Sequence, residues 1–127
     1  MSFFGKLLGR RSAGEERERA DALFANGELG LAKLAYERAL SAAGQEPDDV
    51  KQALRERIDA CKDGLARARI AEAERLLADG ARELAVHELE AAIETAASAE
   101  IIAEAEQRLV AALVVAIEQS HAADLEP

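Results

Sequence analysis

Tryptophan is absent from this 127-residue chain; tyrosine and cysteine occur once each, phenylalanine three times and proline twice. A lone cysteine, Cys61, rules out an internal disulfide and a thiolate metal cluster, and it fits a reducing compartment. With Pro47 and Pro127 the only prolines, long stretches run without a helix breaker. The most apolar stretch, LVAALVVAI at 109–117, is far too short to span a bilayer and follows directly on EAEQR. The N-terminus lacks the apolar core of a secretory signal, so the body is expected to be soluble and cytoplasmic. Positive charge is also scarce. Sixteen Lys and Arg against 25 Asp and Glu leave a net charge of −9. Residues 1–11 contain Lys6, Arg10 and Arg11 and no acid, which puts +3 there and −12 on the remainder. A body of that sign repels a phosphate backbone, so nucleic acid is not expected as a partner.

What the chain has is alanine, the best helix former, within a composition that is 50% hydrophobic. Small side chains bury little area each, at about 25 cal/mol per Å², so a core built from them needs many close backbone approaches. The totals predict a single all-helical domain of ordinary size over residues 15–119, preceded by an apolar-basic segment (1–14) and followed by a polar tail (120–127) that frays. In the first segment Gly5, Gly9 and Gly14 are expected to interrupt any helix.

The hydrophobic pattern divides the rest into amphipathic segments. EERERADALFANG reads as a helix ending at Gly27, with Ala20, Leu23 and Phe24 on one face. A second runs from about Glu28 to Ala43, with a stripe of Leu31, Ala32, Ala35, Tyr36, Ala39 and Leu40. Only Asn26 and Gly27 separate the two, so they are expected to turn back on each other. GQEPDD supplies a break, with Pro47 before or just inside a helix start and Asp48 or Asp49 as its cap. Val50, Leu54, Ile58, Cys61 and Leu65 then form a stripe that shifts by one residue to Ala66, Ile70, Ala73 and Leu77. CKDG at 61–64 accounts for that shift if one helix stops near Gly64 and another begins; the competing reading is one helix from about 49 to 79 whose buried face rotates. We take the break as the expectation. A further segment follows Gly80, and the last runs from about Ala99 to Gln119 on Ile102, Ala105, Leu109, Leu113, Ala116 and Ile117.

An internal repeat is the strongest signal. At an offset of 53, residues 16–43 fall on 69–96. Ala20, Leu23, Ala25, Gly27, Leu31, Ala32, Glu37, Ala39 and Ala43 meet identical residues at 73, 76, 78, 80, 84, 85, 90, 92 and 96, while Phe24, Tyr36 and Leu40 meet Leu77, Leu89 and Ile93. Glycine permits the tight turn and the left-handed conformation that closes a helix, and alanines after it allow the next helix to approach closely.

ALFANGELGLAKLAYERAL resembles the tetratricopeptide repeat, with Gly27 as its turn residue, Ala32 and Ala39 as its small packing positions and Tyr36 as its aromatic filler. PDD at 47–49 resembles the family's Pro-rich junction, delayed by a few residues. Gly80, Ala85, Leu89 and Ala92 take the same roles in the later copy, without the proline. The spacing departs from the family's period of about 34. The fold expected is all-α: a short tetratricopeptide-like stack of helical hairpins, or a compact helical bundle with a C-terminal capping helix. The resemblance implies a partner-binding face on the first helices, which here falls on Arg17, Asp21, Phe24 and Ala25, and on Ile70, Glu74, Leu77 and Ala78 in the second copy. The lysine and asparagine clamp of chaperone-binding members is missing. An apolar peptide, or a helix with basic flanks, suits the charge better than an acidic one.

No residue set supports an enzyme, a cofactor or a metal. His87 edges a helix face, His121 lies near the end, and Cys61 continues an apolar stripe. The carboxylates fall on solvated helix faces, and GKLLG lacks the spacing of a phosphate loop. The opening segment is different: as a helix it would gather Phe3, Phe4, Leu7 and Leu8 on one face, with Lys6 and Arg10 away from its centre and Arg11 within the apolar arc. It should fold only against something, whether its own acidic body, the groove of a partner or second copy, or a membrane surface. The function expected is a non-catalytic protein–protein adaptor that binds through this segment or through Arg17, Asp21 and Phe24 of the first hairpin. Two alternatives stand beside it. One is a self-associating module, a homodimer made through the alanine-rich helices or 109–117. The other is weak peripheral contact with a membrane surface.

Overall fold

A computed structural model describes residues 12–125, and most of these are helical. Five helices, and no strand, are present among the described residues: α1 (Ala13–Ala25), α2 (Leu29–Ala42), α3 (Asp48–Ala78), α4 (Arg82–Thr95) and α5 (Ala99–Leu125). The opening segment that carries Phe3, Phe4, Lys6, Leu7, Leu8, Arg10 and Arg11 lies outside the described residues. Gly14, expected to interrupt, is instead inside the first turn of α1. Ser12 makes that start: its Oγ accepts from the Glu15 N–H at 3.2 Å and its carbonyl from the Glu16 N–H at 3.0 Å. Glu15 and Glu16 complement the positive end of the helix.

Both repeat glycines stand at reversals. Gly27 has φ +79° and Gly80 φ +80°, while no other residue type has a positive φ among the described residues. After α1, the Glu28 N–H reaches the Leu23 carbonyl and the Gly27 N–H reaches that of Phe24. After α3, Ala81 reaches Leu76 and Gly80 reaches Leu77 in the same pattern. These paired bonds close the orphan carbonyls of a helix end and require the left-handed residue between them. The two turns are the same device, 53 residues apart.

The chain divides into two compact units between Lys62 and Asp63. The core of the first is Ala20, Ala32, Ala35, Tyr36, Ala39 and Ala43 with Leu54, Ile58 and Cys61 from the first part of α3. The core of the second is Ala66, Ile70 and Ala73 from the rest of α3, with Ala85, Leu89, Ala92, Ile101 and Ala105. A single α3 therefore replaces the expected pair of helices broken at Gly64. Glycine inside a helix costs only about 1 kcal/mol, and here it lies between two fully buried anchors, Cys61 and Ala66. The five-residue step between those anchors, in place of three or four, is where the buried stripe moves to another face. Pro47 precedes α3 and its carbonyl accepts from Lys51, while Asp48 and Asp49 sit within the first turn instead of capping it.

Three other expectations need correction. Leu31 is not part of the α2 core stripe: it is 52% exposed. In α5 the inward residues are Ile101, Ala105, Leu109 and Ala112, whereas Leu113 and Ile117 are 44% and 69% exposed. The last helix also continues to Leu125, past the expected frayed boundary at 120. Alanines 122 and 123 favour that continuation, and no proline intervenes before Pro127.

α5 begins under the control of a distant residue. The Asp63 carboxylate, on α3, accepts from the Ala97 and Ser98 N–H groups at 2.8 and 2.9 Å, and Ser98 Oγ accepts from the Ile101 N–H at 3.3 Å. Replacing Asp63 with Ala is expected to lower stability by about 1–2 kcal/mol in denaturant unfolding, because two backbone donors lose a charged acceptor. Gly27→Ala and Gly80→Ala are each expected to cost about 1–2 kcal/mol through backbone strain alone, since no atom lies within 4 Å of the added Cβ. Gly30→Ala, in α2 and equally uncrowded, is expected to stabilise by about 0.5–1 kcal/mol. Equal effects at Gly27 and Gly30 would contradict the turn assignment.

Candidate functional site

Alanine contacts leave the larger side chains to define what each hairpin can offer. Arg17 and Asp21 are exposed on α1. Asp21 accepts a hydrogen bond from the hydroxyl of Tyr36, whose ring is completely buried on α2. Phe24 is half-buried against the first core, and the Arg57 guanidinium of α3 stands 5.3 Å from its ring centroid. Of Arg17, Asp21 and Phe24, expected to meet a partner, Asp21 is hydrogen-bonded and Phe24 stacked, which leaves Arg17 neither stacked nor hydrogen-bonded through its side chain among the described residues.

In the second unit Ile70 is core, 5% exposed, and so cannot line a binding face as the resemblance implied. Glu74 pairs with Arg108, which also reaches Glu104 at 3.4 Å. Arg69 pairs with Glu88 at 3.1 Å across a shallow open groove of about 360 Å³ lined by Leu65, Ala68 and Thr95. Arg75 bridges Glu72 and Asp79 along α3. Exposed pairs of this kind contribute little to stability, because solvent screens them. Glu72, Glu74 and Asp79 near the end of α3, and Glu104 on α5, are thus engaged with nearby arginines.

Reactive groups do not converge. His87 and His121 are both exposed. Cys61 is fully buried, and burial pushes its thiol up, opposed by the positive charges of Arg57 and Lys33. That environment disfavours the thiolate and leaves Cys61 a packing residue. Among the described residues no group of three or more His, Cys, Asp or Glu is placed to hold a metal ion. Glu16 is 8% exposed, and its Oε2 has no hydrogen-bond partner among the described residues.

The surface feature that stands out is apolar. Leu31 on α2 and Leu84 on α4, equivalent in the repeat, are 52% and 61% exposed. Leu34 and Leu77 are also exposed, and the second half of α5 exposes Val110, Leu113, Val114, Val115 and Ile117. Sequence periodicity placed Leu31, Leu113 and Ile117 in the core, and the sign it offered otherwise was the excess of apolar residues over what one helix face needs. No protein-family model matches this chain, and no curated protein or solved structure matches it either. No helix among the described residues is long and apolar enough to cross a membrane.

Tyr36 supplies a direct check on this geometry. Burial first, then the hydrogen bond to Asp21 and its negative charge, push its hydroxyl up to about 12. As the chain's only tyrosine, it can be titrated by absorbance. The folded protein is expected to ionise near 12 and the denatured chain near the ordinary value of about 10. The folded state favours the protonated phenol, so this contribution to stability is complete below pH ~10 and is lost as pH rises toward 12. Tyr36→Phe should abolish that loss in unfolding measured against pH.

Proposed function

We propose that this protein is a non-catalytic adaptor that holds another protein through apolar contacts at its glycine-turned hairpins and its N-terminal segment. The observation that carries the reading is the matched exposure of Leu31 and Leu84. Each lies two residues beyond the start of the helix that follows a left-handed glycine, and each is more than half exposed. A scattered surface leucine needs no explanation. Two at equivalent positions of a duplicated hairpin present the same contact twice, which suits a helical or extended partner with apolar side chains and basic flanks. The net charge of −12 on residues 12–127 favours such flanks.

The tetratricopeptide resemblance enters here as the finer part of the proposal. Glycine turn, alanine approach and a large filler recur in both copies, while the 53-residue spacing departs from that family's regular period. The apolar-basic residues Phe3, Phe4, Leu7 and Leu8, with Lys6, Arg10 and Arg11, are proposed as the second contact, on the strength of their composition.

Affinity capture from the native cell tests both contacts. The comparison is between the full chain, Leu31→Ser/Leu84→Ser and Phe4→Ser/Leu8→Ser, with helicity and melting measured for each. The adaptor reading expects a protein retained by the full chain to be lost, by tenfold or more, from at least one variant that remains folded. Equal retention by all three, or retention of nothing, would overturn it.

A further inference from the structure

α5 carries a second, independent surface, and its residues specify what covers it. From Leu109 to Ile117 the helix is apolar all round, the pattern of a helix that is buried on more than one side. Leu109 packs against the core of its own unit and Ala112 is buried, yet Val110, Leu113, Val114 and Ile117 are 59%, 44%, 45% and 69% exposed. At about 100° per residue these four fall within a single arc on the other side of the helix. Glu106 and His121, both exposed, extend the same arc at its two ends. The resulting seam reads Glu106, Val110, Leu113, Val114, Ile117, His121 over about 23 Å of helix.

That seam is complementary to itself when reversed. We propose that α5 pairs antiparallel with α5 of a second copy about a two-fold axis between Leu113 and Val114. Leu113 and Val114 of both copies form the central layer. Val110 packs against Ile117 of the other copy on either side of that layer. Glu106 then lies opposite His121 at both ends, an acceptor facing a donor. Parallel pairing in register would set Glu106 beside Glu106 and lose both polar matches. An unrelated partner would have no reason to reproduce this symmetry, whereas an isologous contact between identical chains requires it.

One helix face falls short of the roughly 1,200–2,000 Å² of a standard stable interface, so the dimer is expected to be reversible, with a dissociation constant in the micromolar range. The inference does not rest on the adaptor reading, whose leucines lie on α2 and α4. Sedimentation of the full chain over a range of concentrations is expected to show a monomer–dimer equilibrium. Leu113→Glu/Ile117→Glu is expected to remain monomeric with unchanged helicity, because both side chains are already exposed in the monomer. Disulfide trapping gives the direction. Val110→Cys mixed with Ile117→Cys should cross-link under mild oxidation, and neither variant should do so alone; Cys61 is buried, and the unsubstituted chain serves as the control. A monomer at the highest soluble concentration overturns the proposal. So does cross-linking of Val110→Cys with itself but not with Ile117→Cys. Flotation with anionic liposomes that depends on Ile117, without a dimer, would assign the seam to a membrane surface and overturn it as well.

Discussion

Alanine at the helix contacts is the constraint on which the rest of this structure depends. Among the described residues, eleven of the eighteen buried apolar ones are alanine, so the cores are built from backbones held close together, with few large side chains between them. Helix separation is set by the residues at the contact, and alanine sets it short. Such a contact works only in one register, since a slip by one residue would bring a large side chain where a methyl belongs. The two glycine turns fix that register, because each closes one helix and opens the next within three residues.

Against that background the few large buried groups acquire separate tasks. Tyr36 and Leu89 occupy equivalent places in the two copies and are both fully buried. Leu89 only fills space. Tyr36 also carries a polar atom, which escapes through its bond to Asp21 at the exposed face of α1 and so avoids an unpaired buried hydroxyl. The buried Tyr36 and Asp21 thus tie α1 to α2 by a directional bond in one unit, while in the other unit the exposed Arg69–Glu88 pair joins α3 to α4 and Leu89 contributes packing alone.

How far all this was legible in the sequence follows from where each signal resides. Gly27 and Gly80 were legible because a left-handed residue between two helical patterns has a local signature. The continuity of α3 was not, since a shift of hydrophobic phase at Gly64 looks the same whether the helix stops or merely buries a new face. The phase of α5 was misread for a related reason: in LVAALVVAI almost every position is apolar, and periodicity cannot choose among faces that are all greasy. Asp63 holding the start of α5, and Tyr36 bonding to Asp21, join residues 34 and 15 positions apart. Local pattern carries no trace of either. For the site, Phe24 was found as a residue of interest, but its cover, Arg57, comes from a different helix.

The unbroken α3 has a consequence for how the two units persist. Any helix end leaves four amide or four carbonyl groups without partners. Between Ile58 and Ala66 those groups are satisfied only because the helix runs on, and the anchors nearest the boundary, Cys61 and Ala66, are among the residues that fraying would reach first. Severed there, each half would keep its list of core residues yet lose the chain that terminates it. The continuity of α3 thus spares the chain two helix ends that would otherwise need caps of their own.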